Sequence, residues 1–330
     1  MHAVAAPGRW IWRLSGLITA AVLVLVGAHL IIRAGQPEYA QPQATVTRTV
    51  TVPQPVTGLT VQSYGAPVQI TAGPVPRVQI TETIMYDSPG GNLSAVPQQA
   101  SAVPQPASAG PLSASPSVPS APAVPSVPLV PSVPGGPLSG APAVVQSVSG
   151  GRLSLGDPAC ANSDCSVSFA VTVPSDLTAT VSTDGGSVSV SGIAGANLGS
   201  GGGPVRATTI GGPLTVDTDG GSLQLDGLAG PLSADTGGGP LTAQGVTAAT
   251  VTVTTGGGDA RLAFAAAPGT VMVSTDGGDA QLVVPGGPYA LAADSDGGPQ
   301  PSVGIATDPQ AHRSITISSG GGALLITPAA

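Results

Sequence analysis

The chain has 330 residues, of which 48 are Gly and 35 Pro, with 2% aromatic and 8% charged side chains and a net charge of −8. So few aromatics exclude an ordinary globular core built on Phe, Tyr and Trp. The acidic balance, in which every basic residue is Arg and Lys is absent, excludes an electrostatic footprint for nucleic acid.

The N-terminus carries one strong signal. Leu14 to Ile32 is a run without a charged side chain when His29 is neutral, rich in Leu, Ile and Val. Nineteen such residues cross a hydrocarbon core of roughly 30 Å as a helix. Arg9 and Arg13 precede the run, and Trp10 and Trp12 suit the interface. This predicts a cytoplasmic tail (1–13), a transmembrane signal anchor (14–32) and an exported remainder. A cleaved signal peptide cut after Ala28 is the alternative. The apolar run continues through His29-Leu30-Ile31-Ile32, which favours the anchor.

After a spacer (33–44), alternating strands begin. They read Thr45 to Val52, Leu59 to Ile70 and Val78 to Ile84, with Tyr64-Gly65-Ala66-Pro67 in the middle one. Residues 45–86 are expected to be the first, degenerate coils of a larger stack, because the end of a stack needs a cap. From 87 to 143 the pattern stops, and prolines recur at every third residue from Pro116 to Pro137. Polyproline II has three residues per turn, so this stretch reads as a disordered, extended insertion. The strands on either side are then expected to form one domain, 45–86 with 144–330.

Cys160 and Cys165 are the only cysteines. In an exported chain such a pair is expected to form a disulfide. Four residues lie between them, against two in a CxxC redox centre, and no His is placed to complete a zinc site.

The main repeat follows. A Gly pair preceded by Ser or Thr and then Asp or Gly occurs eight times, from Thr183-Asp184-Gly185-Gly186 to Ser319-Gly320-Gly321-Gly322. The first glycines of the pairs are at 185, 202, 220, 238, 257, 277, 297 and 321. A period near 18 residues is that of a stacked repeat, one supersecondary unit per coil. Four and six residues before each of these glycines, and three and five after most, the residue is a small aliphatic. Val181, Leu198 and Val216 begin one such column; Leu223 and Leu225 belong to two others. Alternation with period two means strands with one buried face. The predicted fold is therefore all-β: a single-stacked β-solenoid (β-helix) of about 18–20 residues per coil with four aliphatic ladders inside. Pro299-Gln300-Pro301 interrupts the register, and Ser314 to Thr327 is expected to close the stack.

With Thr172-Val173-Pro174, the repeated Ser/Thr-Asp/Gly-Gly-Gly turns and the Val-x-Val and Leu-x-Leu strands, the chain resembles the bacterial putative-adhesin family of β-strand-repeat proteins, a domain of unknown function of actinobacterial type. The resemblance covers about 45–86 and 145–330. It implies a membrane-tethered, exported β-solenoid and brings no catalytic residues with it. The long Pro-rich insertion departs from the family pattern.

Candidate chemistry is sparse. Asp184, Asp219, Asp276 and Asp296 would fall along one edge of the stack, a possible contact edge for a cation or a sugar. Turn chemistry explains them as well, since Gly takes the same place at 201, 237, 256 and 320. Gly199 to Pro204 lacks the Lys and the helix of a phosphate loop. With His312 the sole His of the repeats, no Ser–His–Asp set forms. The expectation is a non-enzymatic surface protein without catalytic residues, cofactor or metal. It would adhere to, or scaffold, a glycan or protein of the cell envelope. A polymer-forming scaffold resembling the bactofilins and a carbohydrate-active β-helix enzyme are the alternatives.

Overall fold

A computed structural model describes residues 43–87, 144–157, 160 and 165–329. The predicted span 14–32 and the Pro-rich segment 88–143 lie outside the described residues. Among the described residues, no helix is long and apolar enough to cross a membrane.

Four strands precede the Pro-rich segment: β1 (Gln43–Thr51), β2 (Gly58–Ser63), β3 (Val68–Ala72) and β4 (Gln79–Asp87). Three follow it: β5 (Val145–Ser149), β6 (Arg152–Gly156) and β7 (Cys165–Val173). Each repeat then contributes two strands. These are β8 (Thr178–Thr183) and β9 (Val188–Ser191), β10 (Gly195–Ser200) and β11 (Val205–Ile210), β12 (Leu214–Thr218) and β13 (Leu223–Leu228). They continue with β14 (Leu232–Asp235) and β15 (Leu241–Val246), β16 (Thr250–Thr255) and β17 (Ala260–Phe264), β18 (Thr270–Thr275) and β19 (Ala280–Val284). The last are β20 (Ala290–Ser295) and β21 (Ser302–Val303), then β22 (Ser314–Ser319) and β23 (Leu324–Pro328).

The strands form two sheets, one of 12 and one of 11 strands, and each repeat gives one strand to each sheet. Nearly all pairings are parallel, so the topology is all-β, repeat-stranded and solenoid-like in its stacking. Ala44–Ala330 forms one compact unit.

Register follows the apolar columns. Val181 pairs with Leu198, Leu198 with Val216, Val216 with Ala234, and Val253 with Val273. A one-residue slip would turn every such column to solvent, so burial locks the register. All these residues are buried, and full burial of one Val or Leu contributes about 1.5–3 kcal/mol. Ile193, Ile210, Leu228 and Val246 add a further buried column at the corner that closes each of those coils.

The order of coils in space differs from the order along the chain at both ends. The β2–β3 coil lies between β6–β7 and β8–β9. At the other end, β22 and β23 slot between the β18–β19 coil and the β20–β21 coil. This corrects the expectation that Ser314 to Thr327 closes the stack. The reason lies in the side chains. β22 brings Ile315 and Ile317 to the interior, whereas the β20–β21 coil has Leu291 and Ala293 and, after Pro299 and Pro301, only a two-residue β21. The better-filled coil takes the position covered on both sides.

Candidate functional site

The turn that joins the two sheets is built on a buried hydroxyl. Ser63, Thr183, Ser200, Thr218, Thr236, Thr255, Thr275 and Ser319 are all buried, one per coil. In most coils the hydroxyl donates to the carbonyl of the second glycine of the pair, three residues on. Thr183 reaches Gly186 at 3.0 Å, Ser200 reaches Gly203 at 3.0 Å and Thr218 reaches Gly221 at 3.2 Å. A buried hydroxyl left unpaired would cost about 1–3 kcal/mol, so the turn geometry and the hydroxyl select each other. Sequence reasoning saw these residues as a spacing mark and missed that they face inward. Their place two residues beyond the last inward aliphatic was the signal.

The two glycines have different tasks. A Cβ on the second would lie 2.3 Å from the carbonyl oxygen of Gly186 at Gly203, and 2.1 Å from that of Gly203 at Gly221. At Gly239 it would lie 2.1 Å from the Gly221 oxygen, and at Gly258 2.2 Å from the Gly239 oxygen. Main chains of adjacent coils touch there, and no side chain fits. A Cβ on the first glycine at 220, 238, 257, 277 or 321 would meet nothing within 4 Å.

Asp184, Asp219, Asp276 and Asp296 are exposed at turns and precede the first glycine. Their main-chain N–H groups donate to the neighbouring coil: Asp219 to Ser200 at 3.2 Å, Asp276 to Thr255 at 3.0 Å and Asp296 to Ser319 at 2.9 Å. No two of them sit in adjacent coils. The Ser200 turn lies between Asp184 and Asp219, the Thr236 and Thr255 turns between Asp219 and Asp276, and the Ser319 turn between Asp276 and Asp296. At about 4.8 Å per coil, the smallest separation is roughly 10 Å, too far for two to share a cation. Gly takes the position at 237, 256 and 320, where a Cβ would lie within 2.6 Å of a carbonyl oxygen of the adjacent turn. Among the described residues, no group of three or more His, Cys, Asp or Glu is arranged to hold a metal ion.

Other carboxylates serve the backbone. Asp259 Oδ1 accepts from the N–H of Asp279 at 3.0 Å, and Asp279 Oδ1 accepts from the N–H of Ala323 at 2.8 Å. The Asp279 N–H and then the Arg261 guanidinium hold the Asp259 carboxyl below its usual range. Cys160 and Cys165 are joined by a disulfide, with Cα atoms 5.3 Å apart.

The outward face of the 12-stranded sheet carries a shallow depression of about 290 Å³, over β11, β13 and β15. Arg206, Thr208, Gln224, Asp226, Thr242 and Gln244 line it, and Arg206 Nη1 donates to Gln224 Oε1 at 2.8 Å. Beside it the strands bend. Thr209 (φ 55), Gly227 (φ 66) and Gly245 (φ 61) are left-handed in three successive coils, continuing from Gly192 (φ 76). Thr209 is the one non-Gly residue with positive φ among the described residues, a conformation costing of order 1–2 kcal/mol. In the next coil the bend residue has no counterpart: the register shifts between Ala243 and Val246, and buried Phe264 pairs with Val246. The bend is thus confined to the coils flanking or forming the depression.

No family model and no curated protein matches the chain. Among solved structures, a putative cell adhesion protein from Clostridium sporogenes is similar at 10% identity, covering 87% of this chain and 100% of that one, with a TM-score of 0.27. At that score the likeness bears on neither fold nor function.

Proposed function

We propose that this chain is a non-enzymatic surface protein, tethered by its N-terminal helix (14–32) with residues 1–13 in the cytoplasm and the repeats outside. It acts as a β-solenoid that adheres to, or scaffolds, a glycan or protein of the cell envelope. The observation that carries this reading is the outward face of the 12-stranded sheet. Its rows of Arg, Gln, Thr and Asp are set by register at one residue per coil, and they line a depression. Hydrogen-bonding groups repeated every ~4.8 Å suit an extended polar ligand. The Asp184, Asp219, Asp276 and Asp296 edge is a secondary contact row in this reading. The disulfide supports an oxidising compartment.

The domain reading, 45–86 and 144–330 as one stack with 87–143 looped out, is supported by β2 and β3 pairing with strands on the far side of the insertion. Deleting 94–142 should leave the thermal midpoint unchanged. For adhesion, the test is capture of envelope fractions and arrayed glycans by the full chain in detergent. Gln224→Ala with Asp226→Ala should abolish capture, and Thr252→Ala on the other sheet should preserve it. Equal capture by both variants would overturn the assignment of the face. Protease treatment of intact cells should remove the repeats; protected repeats would overturn the topology.

A further inference from the structure

We propose that the depression over β11, β13 and β15 holds a linear, uncharged β-1,4-linked glycan laid along the stack, with one sugar ring on each coil. The inference deepens the adhesion reading of this face and rests on it.

The hollows of the described surface differ in character. One end of the stack is sealed, because β4 and β5 lie antiparallel on the last parallel strands. At the other end a cleft of about 630 Å³ beside β20 is lined mainly by apolar groups, among them Leu291, Ala293, Pro301 and Val303. In the depression of the 12-stranded sheet every outward side chain carries a hydrogen-bonding group.

Three observations select the ligand. The first is spacing. Arg206, Gln224 and Thr242 form one row and Thr208, Asp226 and Gln244 the next, each set by the register of adjacent coils. The rows step by about 4.8 Å per coil. A pyranose with its glycosidic oxygen advances a β-1,4-linked chain by nearly the same length, so each ring meets one residue of each row. A peptide advances only about 3.1–3.4 Å per residue and falls out of step after one coil.

The second observation is direction. Thr209, Gly227 and Gly245 directly follow Thr208, Asp226 and Gln244, so the bend borders the depression along its whole length. A ligand lying along the strands would cross that border, whereas one lying along the stack runs beside it. The footprint is three coils long. Toward β9 the rows carry only Ser189 and Ser191, and beyond β15 the second row stops where the register shifts between Ala243 and Val246.

The third observation is charge. The depression holds one cation, Arg206, and one anion, Asp226. A polyanion would bring like charge to Asp226 and a polycation to Arg206, each at a cost. Hydroxyls suit both groups, accepting from the guanidinium and donating to the carboxylate. Arg206 Nη1 donates to Gln224 Oε1 at 2.8 Å, which leaves the Gln224 amino group to donate to the ligand. Thr208, Thr242 and Gln244 can each do both.

The test uses the full chain purified in detergent and three series of neutral β-1,4-linked oligosaccharides of increasing length, built on glucose, mannose and N-acetylglucosamine. Binding is read by isothermal calorimetry. For at least one series affinity should tighten roughly fivefold with each sugar up to the trisaccharide, the effect of one net hydrogen bond per ring, and then level off. Raising the salt should leave it unchanged. Thr242→Ala with Gln244→Ala strips the β15 position. That double variant should lose the gain from the third sugar and keep its disaccharide affinity. Oligogalacturonate and chitosan oligomers, negatively and positively charged, should bind more weakly than the neutral series. Failure of all three neutral series, tighter binding of a charged series, no dependence on length, or equal losses for disaccharide and trisaccharide in the double variant would each overturn the proposal. In that event, envelope capture that still requires Gln224 and Asp226 would keep the face and replace the ligand, by a protein for example. Capture indifferent to those two residues would remove the face itself.

Discussion

The two ends of the stack meet one physical problem with different means. A parallel coil that is last in line leaves both its inward side chains and one row of main-chain groups uncovered. At the β5–β7 end, chain that departs from the repeat solves it. β4 turns antiparallel, and Ile80, Ile84, Tyr86 and Phe169 fill the interior. At the β20–β21 end the departing chain covers less: Ala306 to Asp308 bond to Tyr289 at the start of β20, and the strand beyond it stays half-buried. The last coil keeps the repeat's turn and strand but carries Ala, a single Leu and prolines. A stack can therefore be lengthened by copying one coil, but it can be terminated only by residues that break the copy.

That difference has consequences for stability, the largest first. Val61 in the covered β2 and Ala293 in the open β20 occupy the same inward column, one fully buried and the other half-buried. Val61→Asp should cost several kcal/mol and abolish cooperative unfolding, because the carboxylate has no route to water. Ala293→Asp should cost about 1 kcal/mol or less, since its carboxylate is hydrated through the cleft. In the middle of the stack, Leu225→Asp should behave like Val61→Asp, and Gln224→Asp should be nearly silent. Denaturant melts of the four variants decide this, and equal losses at 61 and 293 would show that the two ends are finished alike.

The next effect concerns the turn. Gly221→Ala would drive a methyl into the Gly203 carbonyl at 2.1 Å, whereas Gly220→Ala would meet nothing within 4 Å. We expect a loss of several kcal/mol for the first and about 1 kcal/mol or less for the second, by thermal melt. The sealed end shows where this constraint stops. Ala66 fills the second-glycine place of the β2–β3 turn and is buried, because the coil beyond it presents Asp157 in place of another Gly-Gly turn.

These pairs also mark what was legible in the sequence. Alternation and period revealed the strands, the four aliphatic columns and the parallel stacking, because both signals are local and repeat many times. Four features were not legible. The buried hydroxyl column was hidden because Ser and Thr are read as turn residues by default. The need for the second glycine arises only when two coils touch. The exchange of coil order at both ends depends on which coil fills space better, a comparison that no single coil contains. The bend at Gly192, Thr209, Gly227 and Gly245 was masked because Thr in the left-handed region leaves no mark in the sequence. On the candidate edge, the sequence did not show that no two of the four aspartates occupy neighbouring coils.

A third contrast between the ends is electrostatic. Among the described residues, the sealed end alone buries a carboxylate in an ion pair: Glu82 is fully buried, with Arg48 Nη2 at 2.9 Å from its Oε2 and no partner for Oε1. Burial pushes the Glu82 carboxyl up from its usual value near 4.5, and Arg48 pulls it back only in part. The folded protein thus holds this proton more tightly than the unfolded chain does. The resulting stability is fully present below about pH 4.5 and is lost as pH rises through the folded-state value. Glu82→Gln cannot titrate, and it leaves Arg48 half-exposed and hydrated. The variant should therefore gain on wild type as pH rises from 4 to 7, read as diverging thermal midpoints. A gap that narrows over that range would contradict the assignment.

The smallest expected effect tests the turn edge itself. Were Asp184, Asp219, Asp276 and Asp296 a cation row, calcium would raise the thermal midpoint and Asp219→Asn would remove the rise. Their separations of roughly 10 Å or more, with a glycine turn between each pair, leave every carboxylate with water as its principal partner. A lone exposed carboxylate gains little from a divalent ion against its own hydration. Calcium should therefore shift the midpoint of wild type and of Asp219→Asn equally, within about 1 °C. A wild-type rise of several degrees that Asp219→Asn removes would mean that the edge closes up around the ion. That in turn would require adjacent coils to slide by a full step, which the buried ladders behind the turns oppose at every layer.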